Sequence, residues 1–267
     1  MNKFKKRGGH ILTAFLYVVI YTVMQFIVSL IYALYQQKLT NIPDTDIYEN
    51  MINGSYAMTA IAAALSLWIY LIIGAVRKKP PARFVHNEKV YPMTVIMACT
   101  AVIGARLAVT AYSHFAQKID VLKRSFDNAM EYAPDELNTA QALAAFFMII
   151  VVAPLFEEFL FRCLVMGELA EVMRPQSAII FQAIIFGTAH MVLFQSIFAV
   201  VMGALLGIIY YKTRSIILSA ACHSVFNFSS IAEGLPLSNS SAVILAVFGV
   251  LLIAASMTYI IRDSKKM

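Results

Sequence analysis

Five ionisable side chains stand inside segments that otherwise read as lipid-buried helix: Glu157, Glu158, Arg162, His190 and His223. The amide of Asn227 follows His223 by about one helical turn. On the translocon scale a charged group at the bilayer centre costs about 2.5 to 3.5 kcal/mol. Groups this costly mark a functional site. A carboxylate, two imidazoles and an amide donor are the parts of a hydrolase that works inside the membrane.

Each motif has its own logic. Consecutive helical residues diverge by about 100°, so Glu157 and Glu158 point different ways. Glu158 and Arg162 are i,i+4 neighbours in the favourable acid-first order. This assigns Arg162 to Glu158 as a structural pair and leaves Glu157 as the candidate general base. Pro154, just upstream, removes a backbone donor and should kink the helix. Phe186 and His190 share a helix face, and Gly187 and Ala189 allow close backbone approach. His223 and Asn227 also share a face, where two donors aimed at one point suit an oxyanion hole. The competing reading of each motif is polar packing between membrane helices.

The sequence has neither a GxSxG elbow nor an HExxH helix, which leaves water as the expected nucleophile. Two routes activate it. Glu157 and His190 act directly, or a divalent metal such as zinc is held by Glu157, His190 and His223, two histidines and a glutamate being a zinc ligand set. The residues alone do not choose between them.

Three motifs in this order, EExxxR (Glu157, Glu158, Arg162), FxxxH (Phe186, His190) and HxxxN (His223, Asn227), resemble the CPBP/Abi family, the bacterial relatives of type II CAAX prenyl endopeptidases. The resemblance covers about residues 141–230. It implies an all-helical intramembrane protease of the bacterial cell membrane, with eight transmembrane helices and a cavity open to the cytoplasm. By position, Glu157 and His190 would activate water, and His223 and Asn227 would stabilise the oxyanion. Glu158, Arg162 and Phe186 would support the site. The substrate would be a peptide or a membrane protein.

Composition sets the frame for these residues. The chain has 267 residues, 60% hydrophobic and 13% charged, with a mean hydropathy of +0.74. Soluble domains are roughly 45–50% apolar and about 25% charged, so an all-α polytopic membrane protein is expected. Runs near 11–35, 55–76, 93–116, 141–172, 177–192, 194–211, 215–231 and 240–261 meet or approach the roughly 20 residues a bilayer requires. The N-terminal basic cluster precedes a run too long for a signal-peptide core and reads as an uncleaved first span. The organisation expected is one membrane domain: N-terminal helices and an extracytoplasmic loop over 1–140, a motif-bearing core over 141–231, and a last helix over 232–267.

The formal net charge of +6 lies in residues that flank the apolar runs. It therefore reads as topology signal and headgroup contact, not as a nucleic-acid surface. Lys and Arg alternate by loop so that both termini would be cytoplasmic. The polar stretch 117–140 would lie outside, with a short amphipathic helix and with Pro134, Asp135 and Glu136 leading into the fourth span. Cys99, Cys163 and Cys222 read as core residues. Arg106, mid-span, is expected to pair with an acid in the bundle, and Gly203 and Gly207 to allow close helix packing. Two other functions compete with the protease. One is a non-catalytic scaffold or immunity protein that keeps the motifs. The other is a proton-coupled transporter, disfavoured because the polar groups crowd into one half of the chain without a matching repeat.

Overall fold

The computed structural model describes residues 3–40, 44–80, 85–131, 138–230 and 237–263. Pro134, Asp135 and Glu136, expected to open the fourth span, fall outside these. Within them the chain is helical, with a single isolated bridge between Asn87 and Ser215. We number the helices α1 (Lys3–Thr40), α2 (Asp44–Val76), α3 (Pro92–Ala116), α4 (Asp120–Glu131), α5 (Thr139–Ala170), α6 (Pro175–Ala189), α7 (Leu193–Thr213), α8 (Ile216–Ser229) and α9 (Asn239–Asp263). Six are long and apolar enough to cross a membrane: α1, α2, α3, α5, α7 and α9. The other two apolar helices, α6 and α8, are shorter. The chain is an all-α polytopic membrane protein, and its eight apolar helices match the eight expected runs.

The short pair matters most. At about 1.5 Å per residue, α6 and α8 span roughly 22 Å, below the roughly 30 Å of a hydrocarbon core. Their ends must therefore be satisfied by protein rather than by lipid. The His190 ring donates from Nδ1 to Phe186 O at 2.9 Å, and Thr188 donates to Ile184 O at 3.0 Å. At the end of α8, Ser229 donates to Phe226 O and Ser230 to Asn227 O, at 2.7 and 2.6 Å.

Small residues set the closest helix contacts. A Cβ on Gly203 would stand 3.0 Å from Ala183 Cα, and one on Gly207 would stand 2.8 Å from Gln182 Nε2. The GxxxG of α7 thus seats α6, and Gly187 on α6 answers it with only 2.8 Å between its own added Cβ and Ser196 O. The expected close approach at Gly187 and at the GxxxG is observed. On the other side, Gly104 of α3 and Gly249 of α9 meet backbone to backbone.

Helix α5 is a compound element. It starts at an Asn138 cap that exchanges two bonds with Gln141, then turns π-helical over Met148–Val152 and again over Phe159–Val165. In the first π stretch Ala153 N–H reaches Met148 O, five residues back. In that register the next donor, for Ile149 O, would come from residue 154, and residue 154 is proline. The chain answers Pro154 by widening the helix around it. The short α6–α7 turn passes through Met191 at φ 57°, and the α7–α8 turn through Arg214 at φ 51°. The second turn is clipped to the loop before α3. Ile216 N donates to His86 O, Glu88 N to Arg214 O, and the Ser215 hydroxyl to Asn87 Oδ1.

The amphipathic helix expected in the 117–140 stretch is α4. Its Leu122 and Phe126 pack against Phe194 at the start of α7, with Phe126 and Phe194 ring centroids 4.9 Å apart. Elsewhere large apolar side chains such as Phe26, Trp68 and Val247 face outward, as lipid contact requires.

Candidate active site

Helices α5 and α8 bring the acidic pair and His223 together. The His223 ring lies between the two glutamates. Its Nδ1 donates to Glu158 Oε1 at 3.0 Å, and its Nε2 stands 3.7 Å from Glu157 Oε2. The carboxylate acceptor fixes the proton on Nδ1, so Nε2 is the atom turned towards Glu157.

Glu158 is fully buried and triply engaged. It takes the bond from His223, accepts from the Ser219 hydroxyl, and forms an ion pair with Arg162, Nε to Oε2 at 3.0 Å. The expected Glu158–Arg162 pair is present. Arg162 has no exposure, and its two terminal amino groups make no hydrogen bond to any described residue. They are not without an electrostatic partner, because the guanidinium lies over the Phe186 ring, Cζ 4.7 Å from the centroid. Glu157 keeps about a quarter of its side chain exposed, the more accessible of the two acids.

Phe186 is the hub of the aromatic packing. Phe161, His190 and His223 stand edge-on to it, with centroids 4.9, 4.9 and 5.9 Å away. His190 therefore joins the cluster through the ring it shares a face with. Because His190 donates from Nδ1 to a carbonyl, its Nε2 is left as an acceptor in the neutral ring.

Asn227 is held differently. Its amide donates to Ile149 O at 3.0 Å. That carbonyl is the one Pro154 cannot serve, so Asn227 closes a gap in the α5 backbone. One of its two amide hydrogens remains for another acceptor.

Glu157 and His223 approach each other, but among the described residues no group of three or more His, Cys, Asp or Glu side chains is arranged to hold a metal ion. Glu157, His190 and His223 are not gathered into such a group.

Sequence reasoning missed Ser219 and a second buried ionic group. Ser219, His223 and Asn227 form an i, i+4, i+8 polar stripe on α8, and that periodicity was the available signal. The second group is Glu168, 1% exposed at the end of α5. Arg77 donates to it in a fork, at 2.6 and 3.2 Å, and His10 Nδ1 lies 2.5 Å from Oε2. Glu168 holds the Arg77 guanidinium above its ordinary pKa. Tyr21 of α1 packs on Phe156, ring centroids 4.6 Å apart, one residue before Glu157. Arg106 packs over the Phe226 ring, Cζ 5.6 Å from its centroid.

Residues 139–229 match the family described as type II CAAX prenyl endopeptidase Rce1-like. Neither the curated proteins nor the solved structures provide a match to this chain. All three motifs lie inside the matched segment, and at the level of the family its description carries a protease kind of activity. The match over the segment that holds every one of these residues supports membership in a CPBP/CAAX-protease-like family of integral membrane proteins.

Proposed function

We propose that the protein is an intramembrane endopeptidase that hydrolyses a peptide bond with a water activated by Glu157 and His190. The observation that carries the reading is the His223 ring held between two glutamates, one buried and paired, the other accessible. Glu157 takes a proton from water, and the hydroxide adds to the scissile carbonyl carbon. His190, with Nε2 open as an acceptor, holds that water for attack. The carbonyl oxygen gains the charge and the remaining Asn227 N–H donates to it, joined by His223 Nε2–H when the ring, set between the two glutamates, carries a second proton as the imidazolium. When the C–N bond breaks, Glu157 returns its proton to the leaving amine. Glu158, Arg162 and Ser219 orient the His223 ring. Substrates are peptides or membrane-protein segments reached from the bilayer. Both termini lie in the cytoplasm, and the organism is bacterial.

A second reading is a membrane scaffold that keeps the motifs without chemistry. The bond from Asn227 to Ile149 O favours it, because it gives that amide a purely structural task. The deciding experiment is cleavage of a membrane-peptide panel, prenylated CAAX peptides included, by the purified protein in detergent, with and without chelator. Cleavage lost in Glu157→Gln and His223→Ala supports the endopeptidase. A folded wild type that cleaves nothing, together with Glu157→Gln cells that behave as wild type, supports the scaffold.

A further inference from the structure

Helix α1 lies outside the segment that matches the family, yet one of its side chains reaches the candidate site. Tyr21 is half-buried, and its ring packs on Phe156 of α5, centroids 4.6 Å apart at an interplanar angle of 50°. Phe156 immediately precedes Glu157. This packing carries the Tyr21 hydroxyl close enough to Glu157 for the carboxylate charge to act on it.

Among the described residues the Tyr21 hydroxyl has one hydrogen bond, and in it the oxygen accepts. Gln25, one turn further along α1, donates from Nε2 at 3.2 Å. The nearby Tyr70 hydroxyl gives its own hydrogen to Tyr17 O at 2.7 Å. A phenol donates as well as accepts, so the Tyr21 hydrogen is left for another acceptor. Tyr21 and Glu157 are thus near each other without being bonded, a relation that one bridging water satisfies.

The chemistry of attack leaves a place for that donor. Water has two hydrogens and two lone pairs. The hydrogens go to Glu157 and to His190 Nε2, and one lone pair attacks the scissile carbonyl carbon. The second lone pair needs a donor, which neither an ionised Glu157 nor the acceptor nitrogen of His190 supplies. We propose that Tyr21 supplies it: the hydroxyl donates to the nucleophilic water, and Gln25 holds the phenol oxygen in place. The assignment rests on the endopeptidase reading and adds a residue to it. With three of its four positions held, the water has one lone pair free, and the direction of attack is fixed. As the proton passes to Glu157, the charge left on the oxygen strengthens the bond from Tyr21.

The test compares full-length wild type, Tyr21→Phe and Gln25→Leu in detergent, on a peptide that wild type cleaves. Phenylalanine keeps the ring on Phe156 and removes only the hydroxyl. Tyr21→Phe should lower kcat roughly ten- to hundredfold, the scale of a misdirected attack, with KM and Tm near wild type. Gln25→Leu should lower kcat by less. In a Glu157→Gln background the loss from Tyr21→Phe should shrink, because both residues act on one water. A kcat near wild type in Tyr21→Phe, a fall in kcat matched by a fall in Tm, or an undiminished loss in the Glu157→Gln background overturns the proposal. If wild type cleaves no peptide, the endopeptidase reading fails instead. A double-mutant cycle of Tyr21→Phe with Glu157→Gln on thermal unfolding then decides whether the two share a water. A double variant whose Tm shift departs from the sum of the single shifts supports the shared water, and additive shifts overturn it.

Discussion

His223 Nδ1 donates to Glu158 Oε1 at 3.0 Å, while Nε2 of the same ring faces Glu157 at 3.7 Å. One imidazole thus reports on both acids, and the two acids play different parts. Glu158 has no exposure and three partners, whereas Glu157 is partly open.

Glu157→Gln should leave the fold intact, because the lost charge is partly solvated and has one long contact. Loss of a general base lowers kcat by about 10² to 10⁴. Cleavage assays run beside circular dichroism would show activity falling with helicity unchanged. Activity near wild type would remove Glu157 from the mechanism.

Glu158→Gln should behave in the opposite way. It leaves the fully buried Arg162 charge without its acid, and breaking one side of a buried pair costs about 3–5 kcal/mol. A clear drop in Tm in detergent is expected. The double variant Glu158→Gln, Arg162→Met should regain part of it, because both charges are then gone. A single variant as stable as wild type would contradict the pairing.

Asn227 and Pro154 should be coupled. Asn227→Ala leaves Ile149 O without a donor, at a cost of about 1 kcal/mol for a membrane hydrogen bond. Pro154→Ala restores a backbone N–H in the register that reaches that carbonyl, so Asn227→Ala should cost less in the Pro154→Ala background. A double-mutant cycle on thermal or denaturant unfolding measures the difference. Strict additivity would show that the two residues do not serve the same carbonyl.

Arg77→Met should loosen α2 from α5 by removing both arms of the fork on Glu168. Breaking such a pair removes the fork from a buried carboxylate, a cost on the order of 3 kcal/mol, reduced here because His10 stays beside it and Arg77 is partly exposed. Limited proteolysis should release α1 and α2 sooner than in wild type. Unchanged protection would assign the hold on these helices to apolar packing alone.

How far the sequence reaches is decided by the range of each interaction. Eight apolar helices and the Glu158–Arg162 pair are legible because runs of hydropathy and i,i+4 spacing are local. The amphipathic α4 is legible for the same reason. The bond between Asn227 and Ile149 O is not, because it depends on a π register that no residue spells out, 78 positions away along the chain. The Glu168 group hides for a similar reason. Its partners His10 and Arg77 sit in basic flanks that read as topology signals, and only the folded bundle turns them inward. The shortness of α6 is legible in part, since the expected runs 177–192 and 194–211 already part near Met191, where the chain turns.

The Glu168 cluster also bears on how the chain is assembled. Arg77 precedes Glu168 by 91 residues and His10 precedes it by 158. Helices α1 and α2 therefore enter the membrane long before the acid that receives them has been made. Until α5 arrives, the hairpin they form has its Tyr70–Tyr17 bond but lacks its anchor to the rest of the bundle. Synthesis of Glu168 is thus the event after which the first two helices can dock, and a chain halted before it would hold them as an unfinished and separable unit.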